Sequence, residues 1–272
     1  MHRFGVRTDA ATVALLEELP FFSPFAYKLL LAPGFIAHKL AGYVPTMAKP
    51  IQPDHATLSH LVNCRTGVID GLLEQAQDEI EQVVVMGAGY DTRLIKYRDQ
   101  LTAECFELDQ LSTQNLKRKA YTDAGLDVDW IHFVPVDFTH ESWSEKLLEN
   151  GFDPTKRTFW LWEGVTLYLE ASVIVHTLKE IDRLSAMGSQ TVFDFYSLAF
   201  TNLEGPILLR AAAKQMLKSA GEPFRFGIDT EGDVRANIIS LLEGTSLEIE
   251  EVSLLGREQS SDFAGIVKAV RR

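Results

Sequence analysis

Hydrophobic and polar positions along the 272-residue chain fall into three successive patterns. Up to about residue 56, apolar clusters such as PFFSPFAYKLLLAPGF are broken by prolines, which predicts short helical pieces whose ends proline sets. From about Ile80 onward, apolar runs of strand length alternate with stretches of helical period. EQVVVMG, AECFELD, WIHFVPVD, RTFWLWEGV and QTVFDFYS read as successive strands. Between the last two lies ASVIVHTLKEIDRLSAMG, where Val173, Ile174, Thr177, Leu178, Ile181 and Leu184 follow helical spacing and Gly188 supplies a stop. Such alternation is the sequence form of a parallel sheet with crossover helices. LEIEEVSLL and DFAGIVKAV close the chain, and the GREQSS link between them suits an antiparallel hairpin and is too short for a helical crossover. The stretch from Ser197 to Gly244 returns to a helical pattern. The expected architecture is α/β: a doubly wound, Rossmann-like sheet of seven strands ending in that hairpin. A helical cover over residues 1–56 precedes a main domain over 57–272, which carries a helical insertion at 197–244.

The carboxyl ends of the strands hold the candidate chemistry, because open parallel sheets bind ligands there. The first strand ends in Gly87-Ala88-Gly89, the second in Glu107 and Asp109, the third in Asp137 and the fourth in Glu163. A Gly-x-Gly turn brings bare backbone close to a ligand, since glycine lacks a Cβ and accepts positive φ. The dinucleotide fingerprint asks for a third glycine where this chain has Thr92. Asp91, inside the turn, would repel a pyrophosphate but suits a ligand with a nearby positive charge. Asp109 stands 22 residues after Gly87, the spacing at which an acidic side chain meets ribose hydroxyls.

Charge and composition narrow the partners. A formal net charge of −12 argues against unselective binding to nucleic acid or anionic membrane, leaving small molecules or proteins. The two cysteines, Cys64 and Cys105, have neither close pairing nor metal-ligand spacing and read as reduced thiols. No apolar run reaches the roughly 18 residues of a membrane span, and the first residues lack a signal-peptide pattern, so a cytoplasmic protein is expected. His176 and Glu180 lie four apart on a helical stretch, a spacing more typical of a solvated face than of a metal pair, and no metal is expected.

GAGYDTR, FELDQLSTQNLKRK, VPVDF and GFDPTKRTFWLWEGVTLYL, in that order, resemble the leucine carboxyl methyltransferase family and its bacterial small-molecule O-methyltransferase relatives. The similarity runs from about Leu61 to the C-terminus and is weaker over the first 56 residues. It implies a class I methyltransferase fold and S-adenosyl-L-methionine as cofactor. It further implies that the glycine turn underlies the methionine part and ribose, and that Asp109 binds the ribose hydroxyls. Asp137 and the Phe138 backbone would read the adenine edge, and Glu163 would face the methionine ammonium or a nearby pocket group. Arg65, in LVNCRTGVIDGLL, matches an arginine that holds the methionine carboxylate, with Tyr168 a second candidate beside that group.

Methyl transfer from a sulfonium asks the protein chiefly to align a nucleophile and exclude water. A carboxylate acceptor is ionised at neutral pH and needs no base, whereas a phenol or alcohol does. Candidate bases are Tyr196, His60, His140 and His176, none inside an identifying motif. Arg210, Lys214 and Arg225 add positive charge to the insertion, which would suit an anionic acceptor. A small-molecule carboxylic acid or polyketide-like hydroxyl is the preferred acceptor. A protein C-terminal carboxylate, an NAD-dependent oxidoreductase and a cofactor-binding protein without turnover stand as alternatives.

Overall fold

The computed structural model describes residues 10–20, 23–45, 49, 51–138, 140–205, 207–220, 223–257 and 262–272. Parts of the expected N-terminal cover, and most of the link between the last two strands, lie outside the described residues. Two helices open the chain, α1 (Ala10–Glu18) and α2 (Pro24–Ala41), followed by α3 (Leu61–Ala76), β1 (Gln82–Met86) and the one-turn α4 (Arg93–Lys96). Alternation then runs through β2 (Glu104–Asp109), α5 (Leu111–Asp123), β3 (Ile131–Pro135), α6 (Trp143–Glu149), β4 (Thr158–Trp162), α7 (Ala171–Leu184) and β5 (Gln190–Tyr196). Helices α8 (Leu198–Thr201), α9 (Ile207–Ala220) and α10 (Val234–Leu241) precede β6 (Leu247–Leu255) and β7 (Ala264–Arg271).

The strands form one seven-stranded sheet in the order β3-β2-β1-β4-β5-β7-β6. Five are parallel, and β7 pairs antiparallel with both β5 and β6, as the short final link required. Strand β1 is buried along its whole length, and its Val83-Val84-Val85 run suits a strand covered on both faces. Gln82 anchors its start, donating from Nε2 to the Asp153 carbonyl (2.8 Å) and accepting from the Asp153 N–H (2.9 Å).

Alternation along the strands sends their side chains into two cores. Val83 and Val85 pack with α3 and α5 on one face, while Val84, Trp160 and Trp162 pack with α6, α7 and α10 on the other. In α7 the stripe Ile174, Thr177, Leu178, Ile181 and Leu184 is buried, but Val173, counted in the same face from the spacing, is 37% exposed. The helix ends at Leu184 on the extended backbone of Ser185, ahead of the glycine read as its stop. No helix among the described residues is long and apolar enough to cross a membrane.

Candidate functional site

Strand β1 lies between β2 and β4, so the chain winds away in opposite directions from the β1/β4 pair, the place where open sheets bind ligands. A cleft of ≈ 490 Å³ opens there, within the size range of small-molecule sites. Its wall is the glycine turn after β1, Glu163 after β4, the first turns of α3, and Thr12, Val13 and Leu16 of α1. Helix α1 is fastened over the turn by a hydrogen bond between the Thr12 and Thr92 hydroxyls (2.6 Å).

The turn is held by its own chemistry. Gly87 has φ 61°, and a Cβ built on it would lie 2.6 Å from Val165 Cγ2, so both conformation and space demand glycine. The Ala88 N–H donates to the Leu108 carbonyl (3.0 Å), and the Gly89 N–H donates to Asp109 Oδ2 (2.6 Å). The other oxygen of Asp109 accepts from the Gln110 N–H (2.7 Å). Asp109, expected at a ribose, is therefore also the tether between β2 and the glycine turn. The turn does not feed a long helix: α4 has four residues, and Asp91 caps it by accepting from the Arg93 N–H (2.7 Å).

Beneath the turn runs a buried ionic network. Arg93 donates from Nε to Asp70 of α3 (2.8 Å) and sets Nη1 against Asp91 and against Glu163 Oε2 (2.5 Å). Arg65 donates from Nη1 to Asp194 Oδ2 (2.7 Å) and to the Tyr196 hydroxyl (2.9 Å). Its Nε is paired with Glu163 Oε1 at 2.6 Å. Lys96 completes the set at Asp70 (2.5 Å). Burial works against both guanidinium charges, but the facing carboxylates outweigh it and hold Arg65 and Arg93 protonated. Three cations and four carboxylates meet in this network, which favours a ligand carrying positive charge.

The structure thus gathers Arg65, Gly87, Ala88, Gly89, Asp91 and Glu163 on one cleft wall, with Asp109 joined through Gly89. It does not bring Asp137, Phe138 or Tyr168 to that wall. Asp137 is solvent-facing at 42% side-chain exposure and meets His140 Nδ1 (3.0 Å). Phe138 lines a second cavity of ≈ 300 Å³ between α6 and α7, with Val165 also in its wall. Tyr168 stacks at an angle on Phe224, with ring centroids 6.1 Å apart.

The base candidates are scattered. His60 is buried, and its Nδ1 accepts from the Thr57 N–H (3.2 Å) in a capping box. His140 is exposed on its loop, and His176 sits at the rim of the second cavity. Tyr196 is 1% exposed, and burial pushes its phenol above the usual range, so it is neutral and serves as an acceptor for Arg65. Of the insertion cations, Arg225 pairs with Glu170 (2.6 Å), while Arg210 and Lys214 are exposed. Glu107, grouped with Asp109 from the strand end, is buried and bound to Lys117 (2.7 Å); burial pushes its carboxyl up to about 7 against the pull of that lysine.

Asp70, Arg93 and Asp194 were not singled out from the chain. Asp70 and Asp194 left a signal, because a charged side chain inside an apolar run is rarely buried without a partner. Asp70 interrupts VIDGLL, and Asp194 interrupts VFDFY.

A seven-stranded sheet with a reversed last strand and a glycine turn at the β1/β4 switch defines a class I methyltransferase. Solved structures agree at the level of the fold. The geranyl diphosphate C-methyltransferase of Streptomyces coelicolor, solved with Mg2+, geranyl-S-thiolodiphosphate and S-adenosyl-L-homocysteine, gives a TM-score of 0.51 at 10% identity over 76% of each chain. The mitomycin 7-O-methyltransferase MmcR gives 0.51 at 16% identity, over 78% of this chain and 55% of that one. The leucine carboxyl methyltransferase family profile matches residues 9–182, and the chain belongs to that family of S-adenosyl-L-methionine-dependent methyltransferases.

Among its relatives, a protein of Mycobacteroides abscessus assigned as an S-adenosyl-L-methionine-dependent methyltransferase is 28% identical over 223 residues, covering 78% of this chain and 73% of that protein. One from Mycobacterium sp. (strain KMS) is 34% identical over 193 residues, covering 67% and 70%. The Bacillus subtilis protein YktD, with the same assignment, is 31% identical over 147 residues, covering 53% of this chain and 48% of that protein.

The residues present fit the cofactor on three counts. The bare glycine backbone offers close approach, and the network's surplus carboxylate suits a ligand of net positive charge. Arg65 Nη2, with no partner among the described residues, is a charged donor open to an acceptor such as a carboxylate.

Proposed function

We propose that this chain is an O-methyltransferase that esterifies a carboxylate of a small-molecule acid. One observation carries the choice of acceptor: among the described residues that line the cleft, none is a histidine, and every carboxylate there is tied to a cation or a backbone N–H. Tyr90, the one phenol among the described residues of the wall, is raised above its usual range by burial and by Asp109, so it too is neutral. A site without a free base suits a nucleophile that arrives ionised.

S-adenosyl-L-methionine, when bound, supplies an activated methyl on sulfur, and transfer forms an O–CH3 bond to the acceptor as the S–CH3 bond breaks. Arg65 would hold the methionine carboxylate, Glu163 and Asp91 would face its ammonium, and the 87–89 turn with Asp109 would carry the ribose. Asp137 and Phe138 are assigned to the adenine edge. Helix α1 keeps water from the cleft through its Thr12, Val13 and Leu16 face. Acceptor selection falls to the N-terminal helices and to the insertion at 197–244, where the exposed Arg210 and Lys214 draw an anion.

The test is mass spectrometry of products from a panel of carboxylic acids and phenols, followed by single-turnover rates against pH. Methyl esters should form, and the rate should rise with acceptor ionisation near pH 4–5 and stay level to about pH 8. The His60→Ala, His140→Ala and His176→Ala variants should keep most of that rate. Methyl ethers, with a limb near pH 6.5 that vanishes in one histidine variant, would move the assignment to a hydroxyl acceptor.

A further inference from the structure

We propose that the end of β5, Asp194 together with Tyr196, is the positioning device that turns the Arg65 guanidinium toward the cofactor. The inference rests on the reading of Arg65 as the holder of the methionine carboxylate.

Asp194 has no exposed surface at all, in a strand buried along its full length. A carboxylate is kept in such a place only when strong partners compensate its lost hydration. Its two oxygens have one partner each: Oδ2 accepts from Arg65 Nη1 (2.7 Å), and Oδ1 accepts from the Gly164 N–H (2.8 Å). The same residue's carbonyl accepts from the Thr166 hydroxyl (2.8 Å). One residue of β5 therefore clamps a side chain of α3 to the turn that carries Glu163.

Tyr196 lies two positions along β5, on the same face of the strand, and its hydroxyl is the second acceptor of Arg65 Nη1 (2.9 Å). Nη1 bears two hydrogens, and both are thereby used. A planar guanidinium held at both hydrogens of one nitrogen cannot rotate, so its opposite edge, Nε with Nη2, is fixed as well. On that edge Nε faces Glu163, and Nη2 is the charged donor that can reach a further carboxylate. Nε is already paired with Glu163 Oε1 (2.6 Å), and Nη2 has no partner within the described residues, so Nη2 is the donor left for the cofactor. Gly164 adjoins the group, and a Cβ built on it would lie 3.7 Å from Nη2.

A merely neutralising role for Asp194 would support the fold and leave ligand selectivity untouched, which makes the two roles separable by calorimetry with two probes. S-adenosyl-L-homocysteine carries the amino-acid carboxylate, and 5′-methylthioadenosine lacks it. Asp194→Asn should weaken the first by about tenfold or more while leaving the second within about twofold. Tyr196→Phe, which removes one neutral acceptor, should show the same selectivity at about threefold.

Arg65→Lys should also weaken S-adenosyl-L-homocysteine alone, and the Asp194→Asn/Arg65→Lys double variant should be no more than about twofold weaker than Arg65→Lys, because Asp194 acts through Arg65. Equal losses for both probes in Asp194→Asn would make Asp194 structural and overturn the proposal. So would unchanged binding in Asp194→Asn and Tyr196→Phe while Arg65→Lys loses affinity, a result that leaves the Arg65 reading intact. Unchanged binding in Arg65→Lys would instead defeat that underlying reading. Should Asp194→Asn not fold, Tyr196→Phe decides alone: selective weakening supports the device, and unchanged or unselective binding rejects it.

Discussion

Gly87→Ala is the sharpest probe of the turn at the head of β1. The residue sits at φ 61°, where an L side chain costs about 1–2 kcal/mol through the clash of its Cβ with the following carbonyl. The new methyl would also stand 2.6 Å from Val165 Cγ2, against the roughly 3.5–4.0 Å of ordinary carbon contact. Valine is stiff at χ1, so it cannot swing aside without leaving its rotamer, and overpacking of this kind costs about 1–3 kcal/mol. The sum is a loss of about 2–5 kcal/mol. The steric part depends on Val165 and the backbone part does not. Val165→Ala alone should cost about 1 kcal/mol, but in the double variant it should return about 1–3 kcal/mol of the Gly87→Ala loss. Urea unfolding at constant slope gives all four stabilities. Gly87 lines the cleft, so S-adenosyl-L-homocysteine affinity measured on the same proteins should follow the same pattern. If the two substitutions add within about 0.5 kcal/mol, Val165 is not what the methyl meets, and the close packing assigned to this turn is wrong.

Two further outcomes are expected. Asp109→Ala should lose about 2–4 kcal/mol of S-adenosyl-L-homocysteine affinity by calorimetry, because it removes both the tether to the Gly89 N–H and the ribose acceptor; Asp109→Asn, which keeps one carbonyl oxygen for Gly89, should recover part of it, and unchanged affinity in both would exclude the role. The Glu107–Lys117 pair gives a pH signature: a carboxyl raised to about 7 contributes stability that is full below its unfolded value near 4.5 and lost as pH rises through 7. Urea midpoints should therefore fall between pH 5 and 8 more steeply in the parent than in Glu107→Gln, and Lys117→Met alone should cost about 3 kcal/mol by stranding the acid; parallel pH curves for parent and Glu107→Gln would show that Glu107 is ionised throughout.

Local pattern alone determined much of this protein. Five buried runs bounded by turns, and two more joined by a link too short for a helix, are properties of neighbouring residues, so β1 to β7 were legible as an α/β sheet with a reversed end. The glycine turn was legible for the same reason, since Gly87 and Gly89 answer a backbone need that no other residue meets as cheaply. The charged network was not. Arg65 of α3 and Asp194 of β5 are 129 positions apart and meet only once α3 packs against the sheet, and Asp70 reaches Arg93 by the same packing. Periodicity says that Asp194 points inward, but the partner that makes its burial tolerable is chosen by strand order. The tertiary structure likewise turned Asp109 into the tether of the glycine turn, made Tyr196 a neutral acceptor, and placed His60 in a capping box away from the cleft. Sequence carries the period of a side chain and the chemistry of its tip; what that tip touches is settled by the packing of elements far apart in the chain.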